Sequence, residues 1–238
     1  MIKKSVKKLQ GKPVPKKIKL APKGVSTLVN FILDETGSME SCKTETISGF
    51  NEYIGTLKET RQKEKQDILF SLTKFNSGKT DAVYTAEPVE YIKELSTETY
   101  VPGNMTPLYD AIGVGISKTA AELKAKKLKP KVLFVIMTDG AENASKEYDR
   151  KKIFDLIKKQ EKENWSFIFL GADQDSWLAG ESIGLSRGNT MNYVKEESIG
   201  TFSALGASTA KYVKACECNT KDFFKETGYD VKKSPVKK

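Results

Sequence analysis

Apolar runs without helical period alternate along this chain with stretches in which apolar positions recur every three or four residues. The first run, 27–33, predicts a central strand buried on both faces. Beyond it Ile47, Phe50, Ile54 and Leu57 form a helical stripe that ends in the charged stretch 58–66. Residues 67–75 read as a second strand, and 81–85 as its antiparallel partner after the turn Asn76-Ser77-Gly78. Thr106-Pro107 opens the next helix, with Thr as N-cap, Pro at the first helical position, and Leu108, Ile112, Ile116 and Leu123 on the apolar face. The run 131–138 is the clearest buried parallel strand. A helix over 146–163 turns Ile153, Leu156 and Ile157 inward, strands follow at 166–170 and 191–194, and a last helix over 196–215 carries Ile199, Phe202, Leu205 and Val213.

This alternation predicts an α/β fold, a Rossmann-like doubly wound, mainly parallel sheet with helices on both faces and one antiparallel edge strand. Three segments are expected: a lysine-rich disordered arm over 1–23, one domain over 24–215, and a basic tail over 216–238. Charge follows the same division. The net charge is +9, but nine lysines and no acid lie in 1–23 and four more lysines in the last seven residues, so 24–231 carries 27 basic against 31 acidic residues. A basic pI that belongs to the tails argues against a nucleic-acid-binding face on the fold itself.

Composition removes several chemistries. With no histidine among 238 residues, Ser-His-Asp hydrolases, Cys-His proteases, HExxH peptidases and Cys₂His₂ fingers are excluded. Cys42, Cys216 and Cys218 are an odd set with no disulfide framework, which fits a reducing compartment. The lysines at the start precede no apolar signal segment, and the longest apolar run, 132–137, is far short of the ~20 residues that span a bilayer. A cytoplasmic protein, without signal peptide or membrane contact, is expected.

The candidate chemistry is oxygen-based. Asp34-Glu35-Thr36-Gly37-Ser38 follows the first strand, Asp139-Gly140 follows the strand 131–138, and Thr106 stands at a helix N-terminus after Pro102-Gly103-Asn104-Met105. In a doubly wound sheet ligands bind beyond the carboxyl ends of the strands, where strand order reverses, and all three segments can meet there. These residues resemble the metal-ion-dependent adhesion site of von Willebrand factor A domains: Asp-x-Ser-x-Ser with a distant Thr and a distant Asp. Thr36 stands where the pattern has its first Ser, keeping the hydroxyl. The resemblance spans about 26–215. It implies that Asp34, Thr36, Ser38, Thr106 and Asp139 hold one Mg²⁺ or Mn²⁺, some directly and some through water. Leu33–Met39, Thr46–Asn51, Thr106–Ile112 and Phe169–Asp173 narrow the likeness to small stand-alone bacterial and phage members, which would place the protein in a bacterial or infected cytoplasm.

Hard divalent cations prefer oxygen ligands, and Mg²⁺ takes only one or two carboxylates, as this set offers. Such an under-ligated cation stays electrophilic and can accept an Asp or Glu of a partner protein. The first expectation is therefore a non-enzymatic, Mg²⁺-dependent protein-binding module. The alternative is a polyanion or nucleic-acid binder acting through the lysine arm, with the domain as scaffold. A metal-dependent hydrolase is disfavoured because no general base with a raised pKa and no second metal cluster is evident. Ser77-Gly78-Lys79-Thr80 looks like the end of a phosphate-binding loop, but Thr73 stands where its first Gly belongs and a strand follows. Cys216-Glu217-Cys218 lacks partners for a tetrahedral metal site, and Asp173 and Asp175 read as helix caps as readily as crevice residues.

Overall fold

A computed structural model of the chain describes residues 27–172, 176–193, 198–215 and 221–224. The strands are β1 (Thr27–Asp34), β2 (Ile68–Asn76), β3 (Lys79–Pro88), β4 (Lys131–Thr138), β5 (Trp165–Ala172) and β6 (Thr190–Tyr193). They form one six-stranded sheet in the order β3-β2-β1-β4-β5-β6, parallel except for β2 against β3. All eight residues of β1, β4 and β5 are buried, as apolar runs covered on both faces require. The helices are α1 (Lys43–Glu64), α2 (Leu108–Lys126), α3 (Arg150–Glu161), α4 (Ser176–Ser182) and α5 (Ser198–Lys214).

Side-chain alternation along the strands divides the core in two. Val29, Phe31 and Leu33 of β1 pack with Phe50, Tyr53 and Leu57 of α1 and with Phe202 and Leu205 of α5. Leu28 and Ile32 face the other way, onto Ile112 and Ile116 of α2 and Ile153 and Ile157 of α3. Lys131, at the start of β4, ties the end of α5 to the sheet: its Nζ donates to the carbonyls of Tyr212, Val213 and Ala215 at 2.7, 2.8 and 2.7 Å. Among the described residues no helix is long and apolar enough to cross a membrane.

Several local expectations change. Helix α1 runs through the charged stretch and stops at Lys65, whose φ of 53° leaves the helical region. The expected strand 81–85 is longer, and its turn is only Ser77-Gly78, shaped by Asn76 Oδ1 accepting from the N–H groups of Gly78 and Lys79. The phosphate-loop look-alike is thus a hairpin turn. Near the far end of β3 the ladder shifts register and Ala86 takes a φ of 48°. Helix α3 begins four residues later than expected, because the N–H groups of Lys146, Glu147 and Tyr148 donate to Asp110 and Asp149 then caps the helix through Lys152 N. Helix α4 had no counterpart in the sequence pattern. Within the expected basic tail 216–238, Phe223 and Phe224 are buried, with Phe224 N donating to Gly188 O. The arm 1–23, Asp173, Asp175, Val194, Glu196, Cys216, Cys218 and the side chain of Ile199 lie outside what the structure describes.

Helices α1 and α5 meet at Gly49, where a methyl group would lie 2.0 Å from the fully buried ring of Phe202. Gly49→Ala should therefore lower stability by about 2 kcal/mol in urea unfolding despite alanine's better helix propensity. Adding Phe202→Leu should shrink that penalty in a double-mutant cycle.

Candidate metal centre

The order of strands reverses between β1 and β4, so the C-terminal ends of these two neighbours border the crevice of the fold. Their parallel register pairs Leu33 with Met137, which sets Asp34 beside Thr138. Asp34 Oδ2 accepts a 2.6 Å bond from Thr138 Oγ1, and Oδ1 accepts from Thr36 N at 2.8 Å. Burial pushes the Asp34 carboxyl up to about 6, against the lowering effect of the Thr138 and Thr36 hydrogen bonds, while the charge of Asp139 pushes the same way as burial. The sequence held no hint of a raised carboxyl here. Its two oxygens are nonetheless engaged by Thr138 and Thr36, which is a poor disposition for a general base.

The other expected residues gather around it. Thr36 Oγ1 lies 3.2 Å from Ser38 Oγ, which donates to Asp139 Oδ1 at 2.6 Å. Thr106 reaches the same place from a third segment: a methyl group built on Gly140 would lie 3.1 Å from Thr106 Oγ1 and 3.3 Å from Ser38 Oγ. Only a glycine leaves that space open. Thr106 does not cap α2 as its sequence position suggested. The first turn of α2 is satisfied instead by Glu142 Oε2, which accepts from Tyr109 N at 2.8 Å, and by Ser145 Oγ, which accepts from Asp110 N at 3.0 Å. This relieves the Thr106 side chain of capping, and its hydroxyl stands beside Gly140 on the side that Ser38 also borders. Among the described residues no group of three or more acidic or cysteine side chains gathers that could hold a metal, and the candidate donors are two carboxylates and three hydroxyls.

Sequence reasoning missed the residues that hold these loops. Glu35, wholly buried, ion-pairs with Lys74 at 2.7 Å and with Lys79 at 3.3 Å. It also accepts from Val101 N at 2.9 Å, and its carbonyl accepts from Gly103 N at 3.0 Å. Gly37 N donates to Asn104 O, Ser77 N to Met105 O, and the Tyr100 hydroxyl to Asp34 O at 2.6 Å. Thr106 N donates to Asn143 Oδ1, and Asn143 N returns a bond to Thr106 O. One signal for Glu35 was present: strand parity puts Lys74 on the inward face with Phe70 and Leu72, and a lysine there requires a buried partner.

No described protein family and no curated protein matches the sequence. Solved structures do. The pilus adhesin SpaC from Lactobacillus rhamnosus GG, in its open conformation, aligns at a TM-score of 0.55 and 15% identity over 82% of this chain and 30% of its own. Proximal thread matrix protein 1 from the mussel byssus aligns at 0.53 and 15% identity over 77% of this chain and 46% of its own. The SpRpn10 VWA domain follows at 0.48 and 9% identity over 76% and 95%, too distant to bear weight. The chain thus spans less than half the length of the first two, and at such identities the likeness speaks for the fold alone. With its strand order, single antiparallel edge pair and helices on both faces, that fold is the Rossmann-like, mainly parallel α/β sheet expected from the sequence, the architecture that the resemblance to von Willebrand factor A domains implies.

Removing Glu35 strands a lysine. Glu35→Ala should cost about 3–5 kcal/mol in chemical denaturation, since Lys74 keeps its charge in a buried place, whereas Glu35→Ala combined with Lys74→Met should recover most of the loss.

Proposed function

We propose that this chain is a non-enzymatic, Mg²⁺-dependent protein-binding module of the cytoplasm. Asp34, Thr36, Ser38, Thr106 and Asp139 hold one Mg²⁺ or Mn²⁺, and a partner protein presents an Asp or Glu to it. The observation that carries the reading is the convergence of three hydroxyls and a carboxylate on the open side of Gly140, with Asp34 fixed behind them. A donor set of hydroxyl and carboxylate oxygens, with no thiolate or imidazole, suits a hard divalent cation and no softer one. When bound, the cation supplies an electrophilic position open to an exogenous carboxylate. Asp34 contributes charge from a locked orientation, while Ser38 is held by Asp139 at the mouth. The solved structures that share the fold are named as a pilus adhesin and a thread matrix protein, which supports a role in attachment.

A second reading assigns binding of polyanions to the lysine arm 1–23, and one experiment separates the two. Mg²⁺ and Mn²⁺ are titrated by calorimetry into the full chain, Asp139→Ala, Gly140→Ala and the chain lacking 1–23. About one metal should bind the full and shortened chains. Asp139→Ala should bind none, and Gly140→Ala should bind at least about tenfold more weakly, its methyl group crowding Thr106 and Ser38 while the fold is kept. Binding that survives Asp139→Ala unchanged overturns the metal reading. Retention of a heparin column that depends on 1–23 and not on Mg²⁺ would favour the arm.

A further inference from the structure

Two apolar side chains stand exposed beside the oxygen cluster. Val101 and Met105 are 56% and 53% exposed, on the loop that delivers Thr106. A single exposed apolar residue is ordinary. These two bracket a segment whose backbone is fastened to Glu35, Gly37 and Ser77, by Val101 N to Glu35 Oε1 at one end and by Ser77 N to Met105 O at the other. Their positions relative to Thr36 and Ser38 are therefore set by the fold.

The two segments nearest these side chains carry no formal charge. Residues 36–39 and 100–109 contain no ionisable acid or base other than the tyrosines Tyr100 and Tyr109. Glu142, on the third segment, directs its carboxylate inward to the N–H groups of Tyr109, Ala144 and Ser145 at 2.8, 2.9 and 2.7 Å. A partner's carboxylate drawn to this place meets neutral, partly apolar loop segments, with exposed Glu40 and the Glu35-paired Lys79 at their borders.

We infer that Val101 and Met105 form an apolar rim that selects a partner segment whose acidic residue is flanked by apolar side chains. This rests on the metal-dependent reading above. In an extended segment the side chains at i and i±2 share a face and lie about 7 Å apart, so an acid seated at the cation would lay its i±2 neighbours on the rim. Burying such side chains against Val101 and Met105 adds affinity without further charge pairing.

The test uses three peptides in Mg²⁺, titrated by NMR or calorimetry: acetyl-Leu-Gly-Glu-Gly-Leu-amide, its analogue with both leucines replaced by glycine, and its analogue with glutamine for glutamate. Wild type should bind the leucine peptide about tenfold tighter than the glycine peptide and should not bind the glutamine peptide. In Val101→Ser/Met105→Ser the two acidic peptides should bind within about twofold of each other, with Mg²⁺ affinity unchanged, because both side chains are exposed and neither is a ligand. Equal binding of the two acidic peptides by wild type, or a leucine preference that survives the double variant, overturns the rim while leaving the metal reading standing. Failure of wild type to take up Mg²⁺ overturns the metal reading and the rim with it.

Discussion

The parallel pairing of β1 with β4 is the constraint on which the rest depends. Both strands are buried along their whole length, and their register fixes Asp34 next to Thr138 within hydrogen-bonding distance. A slip of one residue would turn every side chain of β1 to the opposite core, exchanging Phe31 and Leu33 for Leu28 and Ile32. The hydrophobic pattern therefore sets where the oxygen atoms stand, and the site inherits its precision from packing some distance beneath it.

The loops above that platform are held differently. Carboxylates accept from backbone N–H groups at each junction: Asp34 from Thr36, Glu35 from Val101, Glu142 from Tyr109, Ala144 and Ser145, and Asp110 from three successive residues. Charge-assisted bonds of this kind are shorter and stronger than neutral ones and impose direction, which apolar contacts do not. They give irregular backbone a defined shape where no ladder can run. Two lysines of the β2–β3 hairpin balance Glu35, so the sheet edge and the site loops share one buried network.

Much of this was legible in the chain. Apolar runs marked β1, β2, β4 and β5, and the stripes of α1 and α2 named their inward faces, because those elements are long and buried deeply enough for period to dominate. The five oxygen-bearing residues were singled out through the resemblance, and the structure places their segments at one end of the sheet. What escaped were contacts between segments distant in sequence. Asp110 diverts residues 146–148 from the helix that their local pattern suggested, and Glu142 replaces Thr106 as the cap of α2. A capping rule that reads neighbours along the chain has no access to a carboxylate 33 positions away. Phe223 and Phe224 were hidden for a related reason: two aromatic residues in a polar stretch show no period, yet they complete a core built by others.

The irregularity in β3 bears on what kind of contact the sheet can make. This strand is the outermost of its side, and an uncovered edge ordinarily invites a foreign strand to continue the ladder. The register shift, the left-handed Ala86, the terminal Pro88 and the charged side chains Lys79, Asp81 and Glu87 spoil that template. Growth of the sheet by strand addition is disfavoured on that side, so a contact with another molecule would have to use side chains rather than a continued ladder.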